Sequence, residues 1–169
     1  MNTEADQDPL HAIQALLAGG RLDEARSALD ALLEARPDDV EARYTRAVVH
    51  RYAGRAEAAR ADLEAVKRQA PNHGRAHQEE GHLLRALGDA DGAAAAYGRA
   101  TRLNPALEAS FRGQLELLEQ LGRPQEAAVV RAQLAQLRRL PKALVAVTDL
   151  RAQGKLLKAE ALCRRFLQQ

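Results

Sequence analysis

Four glycines, Gly20, Gly54, Gly88 and Gly122, stand 34 residues apart, and three prolines, Pro37, Pro71 and Pro105, keep the same interval. Five residues after each glycine comes an alanine: Ala25, Ala59, Ala93 and Ala127. The surrounding strings read GRLDEA, GRAEAA, GDADGA and GRPQEA, and a fifth, GKLLKA, runs from Gly154 to Ala159. A period of this length is one supersecondary unit copied along the chain. Such a unit cannot bury its apolar face alone and must stack on its neighbours.

Each period predicts two helices. In the second, Val40 to Ala53 holds no breaker, Gly54 interrupts, and Ala56 to Ala70 continues to Pro71. Glycine in the turn permits positive φ at a helix end. Proline separates the periods because it cannot continue a helix. Asp38 and Asn72, next to their prolines, are the expected caps of the following helices, with Asp8 before Pro9 and Asn104 before Pro105 serving the same way. The small alanine of each second helix allows close approach. Leu29, Leu32, Leu33, Leu63, Val66, Tyr97 and Leu103 are expected to pack around it. The chain contains 36 Ala and 26 Leu among 169 residues, with Val and Ile scarce and no alternating run. The fold class is therefore all-α, without a sheet.

In these residues the chain resembles the tetratricopeptide repeat family, over about residues 8–169. Departures are plain. His77 and Phe111 stand where the first helices usually carry Trp. Leu16, His50, Leu84 and Leu118 replace the later Tyr, and the fourth repeat's closing proline is displaced to Pro141. The resemblance implies a right-handed α-solenoid of stacked antiparallel helix pairs, the first helix of each pair lining a concave groove. Residues 1–7 read as an acidic N-terminus, and the resemblance implies one domain over 8–169, with repeats at 8–37, 38–71, 72–105, 106–140 and 141–169. Leu162, Phe166 and Leu167 have no following helix to cover them. Either the chain was cut from a longer protein, the expectation adopted, or copies associate through the C-terminal helix.

Spacing by three and four along the first helices places further residues on one face. With the geometry the resemblance implies, that face is the groove. It holds Leu10, Gln14 and Leu17, then Tyr44, Val48 and Arg51, then Arg75, Gln78, His82 and Arg85. Arg112, Glu116 and Glu119 follow in the fourth repeat, and Leu144, Thr148 and Arg151 in the fifth. Recurrent arginines are planar forks suited to carboxylates. The expected ligand is an extended peptide or partner segment bearing a carboxylate, with Gln78 bonding its backbone. Some members of the family clamp the C-termini of cytosolic chaperones with Lys and Asn in the first repeat, Asn in the second, and Lys and Arg in the third. Leu10, Gln14, Thr45, Arg75 and Glu79 occupy those places here, and only Arg75 is chemically similar. A chaperone-tail receptor is not expected.

Other classes fare worse. No GxSxG, Walker-type loop or other catalytic motif occurs, and Thr101, Ser110 and Thr148 are the only Ser or Thr beyond position 45. No enzyme is expected. A single Cys163, expected on a packing face, excludes an internal disulfide. His73 and His77 are four apart, but no third ligand is evident, so neither a metal nor a cofactor is expected. The chain is −5 over residues 1–98 and +7 over 99–169. Arg138, Arg139, Lys142, Arg164 and Arg165 gather in the basic half without aromatic stacking platforms, so a solvated face is expected rather than a nucleic-acid site. No apolar run is long enough to span a membrane. The polar, acidic start is unlike a secretory signal, which points to the cytoplasm of a bacterium with Arg-rich coding. The stretch from Leu140 to Gln169 is also similar to the repeat arms that precede sulfotransferase domains in some bacterial proteins. On that alternative the chain would position substrate for a catalytic domain it does not itself contain.

Overall fold

The computed structural model describes residues 9–168. Among them are ten helices: α1 (Pro9–Ala18), α2 (Leu22–Ala35), α3 (Val40–Tyr52), α4 (Ala56–Gln69), α5 (Gly74–Ala86), α6 (Ala90–Leu103), α7 (Glu108–Gln120), α8 (Pro124–Arg139), α9 (Lys142–Ala152) and α10 (Leu156–Leu167). The all-α expectation holds. The acidic segment 1–7 and the Asp8 cap lie outside the described residues.

The period is set by the turns. Gly20, Gly54, Gly88, Gly122 and Gly154 all have positive φ, between 66° and 82°, and they alone do so among the described residues. At Gly54 the chain closes in the Schellman manner: Arg55 N donates to His50 O at 2.8 Å and Gly54 N to Arg51 O at 3.0 Å. A Cβ at Gly54 would meet nothing within 4 Å, so what demands glycine is backbone conformation and not room.

The caps fall one residue later than expected. Asp39, not Asp38, accepts from Ala42 N at 2.9 Å, and His73 Nδ1, not Asn72, accepts from Ala76 N at 3.1 Å. The Pro-Asp and Pro-Asn pairs are used up in a turn, as in Asp39 N to Arg36 O at 3.1 Å, before the helix can begin. Asp38 instead accepts from Gln69 Nε2 at 3.3 Å. Asn104 does not cap α7 either. It ends α6, and its Oδ1 accepts from Ala106 N at 3.1 Å, while Leu107 precedes α7 without a side-chain cap.

The described chain forms two compact units, one ending at Pro71 and the other starting at Asn72. In the first, α1 to α4 pack in succession over Ile13, Ala25, Leu29, Leu32, Leu33, Ala42 and Val49. Charge also enters the interior. Arg46 of α3 donates to both oxygens of Asp62 of α4, at 2.8 and 2.7 Å, and to Asp30 of α2 at 2.9 Å. The Asp62 side chain is only 7% exposed.

In the second unit α5 to α8 pack in succession around Tyr97, which has no exposed surface. Its ring lies between two glycines. A Cβ on Gly81 would come within 2.6 Å of it, and one on Gly113 within 2.8 Å. Leucines at 117, 118, 134 and 137 complete this core with Phe111 and Val130. Leu140 and Pro141 then run in extended backbone, with ψ of 142° and 137°, and end the regular succession. α9 packs chiefly on α10, and none of its residues is buried.

Candidate functional site

Of the residues expected on the groove face, six lie in the first unit: on α1, Leu10 and Leu17 pack partly buried against the core and Gln14 is exposed, and the other three are on α3. Tyr44, Val48 and Arg51 follow one another along α3, each half-buried. The Arg51 guanidinium stands 4.2 Å from the centre of the Tyr52 ring, a cation–π contact with the next residue of the chain.

The others lie in the second unit, and several are already engaged by the chain itself. Gln78 was expected to bond a ligand's backbone, but its Oε1 accepts from Ser110 Oγ of α7 at 2.9 Å. His82 was expected to face a ligand, yet its Nδ1 is 2.8 Å from the Tyr97 hydroxyl and its ring meets Tyr97 edge-on at 5.3 Å. It supports the core more than it faces out. Arg85 donates to Glu116 of α7 at 3.0 Å, both side chains about half exposed. Arg112 and Arg151 are exposed, and Thr148 Oγ1 donates to Leu144 O at 2.9 Å within its own helix. The structure thus brings Arg85 and Glu116 together across α5 and α7, and places Gln78 on Ser110.

The strongest polar arrangement in this unit was not read from the sequence. Asp149 of α9 receives Arg75 Nη2 at 2.6 Å and Asn104 Nδ2 at 2.8 Å. Burial pushes its carboxyl up, but hydrogen bonds from Asn104, Arg75 and Gln153, with the Arg75 charge, outweigh that and hold it below the usual aspartate value. Here a carboxylate is held at Arg75, a residue of the expected face but not one of the recurrent arginines Arg51, Arg85, Arg112 and Arg151. A signal existed. Asp149 stands five residues before its turn glycine, where the second, third and fourth hairpins carry the buried Val49, Leu83 and Leu117.

A cleft of about 850 Å³ opens elsewhere in the unit, lined by Thr101 of α6, Phe111 and Gln114 of α7, and Val129, Gln133 and Leu137 of α8. None of the expected face residues borders it.

The histidines are spread among protein partners: His73 caps α5, His77 Nδ1 lies 3.3 Å from Glu80, and His82 meets Tyr97. Among the described residues no group of three or more His, Cys, Asp or Glu could hold a metal ion, and no helix is long and apolar enough to cross a membrane. In the basic cluster, Arg138 is bonded to Glu108 at 2.9 Å and Arg164 to Glu160 at 2.6 Å. Cys163 is partly exposed.

Comparison with solved structures gives the same fold in MamA proteins. A MamA crystal structure superposes with a TM-score of 0.67 at 16% identity, covering 98% of this chain and 91% of that one. MamA from residue 41 to its end, from Desulfovibrio magneticus RS-1, gives 0.66 at 24% identity, covering 78% and 76%. A MamA RS-1 double mutant gives 0.67 at 24% identity over the same shares. Comparison with curated sequences gives no match. The family model described as tetratricopeptide repeat matches residues 10–74 and 79–136, more than half of the chain. The chain belongs to the tetratricopeptide repeat family.

Proposed function

We propose that the chain is a protein-interaction scaffold and that the exposed faces of its first helices receive an extended, carboxylate-bearing segment of a partner. The observation that carries this is the carboxylate of Asp149 seated on Arg75 and Asn104. A guanidinium and an amide there present donors in the directions a carboxylate accepts. Within the same unit Arg85 repeats the cation in α5. The cost of pulling Arg85 from Glu116 is small, because both are well exposed. Catalysis by this chain is no part of the reading, since the engaged groups bind and cap without forming a nucleophile–base pair.

The test is direct. Partners captured by the chain are identified, and their affinity is measured by calorimetry for the wild type and for the Arg85→Glu variant. Replacing a charge-assisted contact by a like charge should weaken binding at least about tenfold. Equal affinity would end the groove reading. The cytoplasm is the compartment proposed for this interaction.

Association of copies through α10 belongs to the same proposal. Leu157 and Leu167 are each 82% exposed on that helix, and light scattering of Leu157→Glu should return a smaller mass than wild type. The resemblance of residues 140–169 to sulfotransferase arms finds no support in the comparisons and is not developed.

A further inference from the structure

In a stack of hairpins each repeat touches its neighbours. Asp149 breaks that order. It sits in the fifth hairpin, yet Arg75 and Asn104 both belong to the third. Val145, one turn earlier, rests partly buried against the core that runs from α6 to α8. The α9–α10 hairpin is therefore folded back onto the unit instead of continuing the succession from α8.

Three features make this contact separable. First, α9 has no fully buried residue, so its apolar contacts are all partial. Second, the extended Leu140–Pro141 junction joins it to α8 without a shared helix. Third, Arg75 and Asp149 are 38% and 25% exposed, so the ion pair is partly solvated and weak enough to exchange. A hairpin held in this way has one specific anchor, and the anchor is chemically a carboxylate.

We propose that the α9–α10 hairpin is a latch, closed by Asp149 on Arg75 and Asn104, and displaced when a partner's carboxylate takes the same donors. The competition rests on the scaffold reading above; the opening of the hairpin does not. Asp149 is a resident competitor, so partner affinity is lowered by the closed fraction. Full binding strength then requires an acidic segment able to outcompete a carboxylate already in place.

Two measurements on the full chain decide the matter. Hydrogen exchange is recorded for wild type, Asp149→Asn and Arg75→Gln. The latch predicts that amides of α9 exchange at least about fivefold faster in both variants, with α7 and α8 unchanged, as one partly exposed ion pair is lost. Unchanged exchange in α9, an α9 already unprotected in wild type, or equal acceleration through α7 and α8 overturns it. In the second measurement a fluorescein-labelled hexaglutamate peptide is titrated at low ionic strength, where exposed pairs are least screened. Asp149→Asn should bind it at least about fivefold more tightly than wild type, and Arg75→Gln more weakly than Asp149→Asn. Equal binding to wild type and Asp149→Asn overturns the latch as a competitor. No binding to either overturns the carboxylate reading of the face, whatever the exchange rates show.

Discussion

Arg46 holds Asp62 through two hydrogen bonds, at 2.8 and 2.7 Å, between α3 and α4. The fork of donors matches the carboxylate, and the acid is nearly buried. Arg46 also reaches Asp30 at 2.9 Å, which in turn receives Arg26 at 2.9 Å. Three helices are thereby tied by charge where a packed leucine would otherwise serve.

Arg46→Met leaves Asp62 with Arg43 and His50 nitrogens each no nearer than 3.9 Å. An almost buried carboxylate so weakly partnered should cost about 3 kcal/mol of stability. Asp62→Leu should cost less, because Arg46 keeps Asp30. The double variant Arg46→Met/Asp62→Leu removes both charges together. It should lie well above the sum of the single losses, with a coupling of at least about 1 kcal/mol in urea unfolding. Additive losses would show that the pair does not act as a unit.

His50 gives this region a pH response. Burial lowers its pKa below 6.5, Asp62 opposes this, Arg46 and Arg55 add to it, and Asp30 opposes it again. Its Nδ1 is buried without a hydrogen-bond partner. The folded state therefore binds the proton less readily than the unfolded state. The stability is fully present above the unfolded value near 6.5 and is lost as the pH falls from there toward the lower folded value. Urea midpoints measured from pH 7.5 to 5 should decline, and His50→Gln should flatten that decline. The slope is the readout, since the substitution can shift the whole curve through packing.

Much of this fold was legible because backbone chemistry repeats with the period. The turn glycines mark a conformation that only glycine takes up cheaply, so five hairpins could be placed from five residues. The ends of helices were harder. Asp38 and Asp39 have equal capping chemistry, and only the turn geometry after Pro37 selects the second. Helical spacing set the expected faces of α3, α5 and α7, but it could not supply the partners. Ser110 for Gln78, Tyr97 for His82 and Glu116 for Arg85 are contacts between helices, set by how hairpins are offset. Asp149 was the clearest omission. A charge in a slot that is apolar in Val49, Leu83 and Leu117 signals that the last hairpin does not pack as the others do. Spacing alone cannot say where it goes.

Glycine at the turns can be tested apart from packing. Gly54→Ala meets no atom within 4 Å, so any loss comes from holding alanine at φ of 71°. The expected cost is about 1 kcal/mol, from the left-handed penalty of a residue bearing Cβ. Gly54→Asn should recover part of it, because asparagine tolerates that region better. Thermal melts followed by circular dichroism compare the three. If alanine and asparagine behave alike, conformation is not what glycine supplies there.

Tyr97 provides the opposite case, where glycine supplies room. Gly81 and Gly113 approach its ring from α5 and α7, and the ring is fully buried with its hydroxyl on His82. Gly81→Ala would gain helix propensity worth about 1 kcal/mol. It would also force a methyl to within 2.6 Å of ring carbons that have no free space to move into, and overpacking of this kind costs about 1–3 kcal/mol. A net loss is expected. Tyr97→Ala should cost about 3–5 kcal/mol through the cavity it leaves, and Tyr97→Phe about 1 kcal/mol through the hydroxyl bond alone. The discriminating experiment combines them. In a Tyr97→Leu background the ring is gone, so Gly81→Ala should no longer destabilise and its propensity gain should emerge as a higher urea midpoint. A loss of the same size in both backgrounds would mean that Gly81 is needed for something other than the ring it faces.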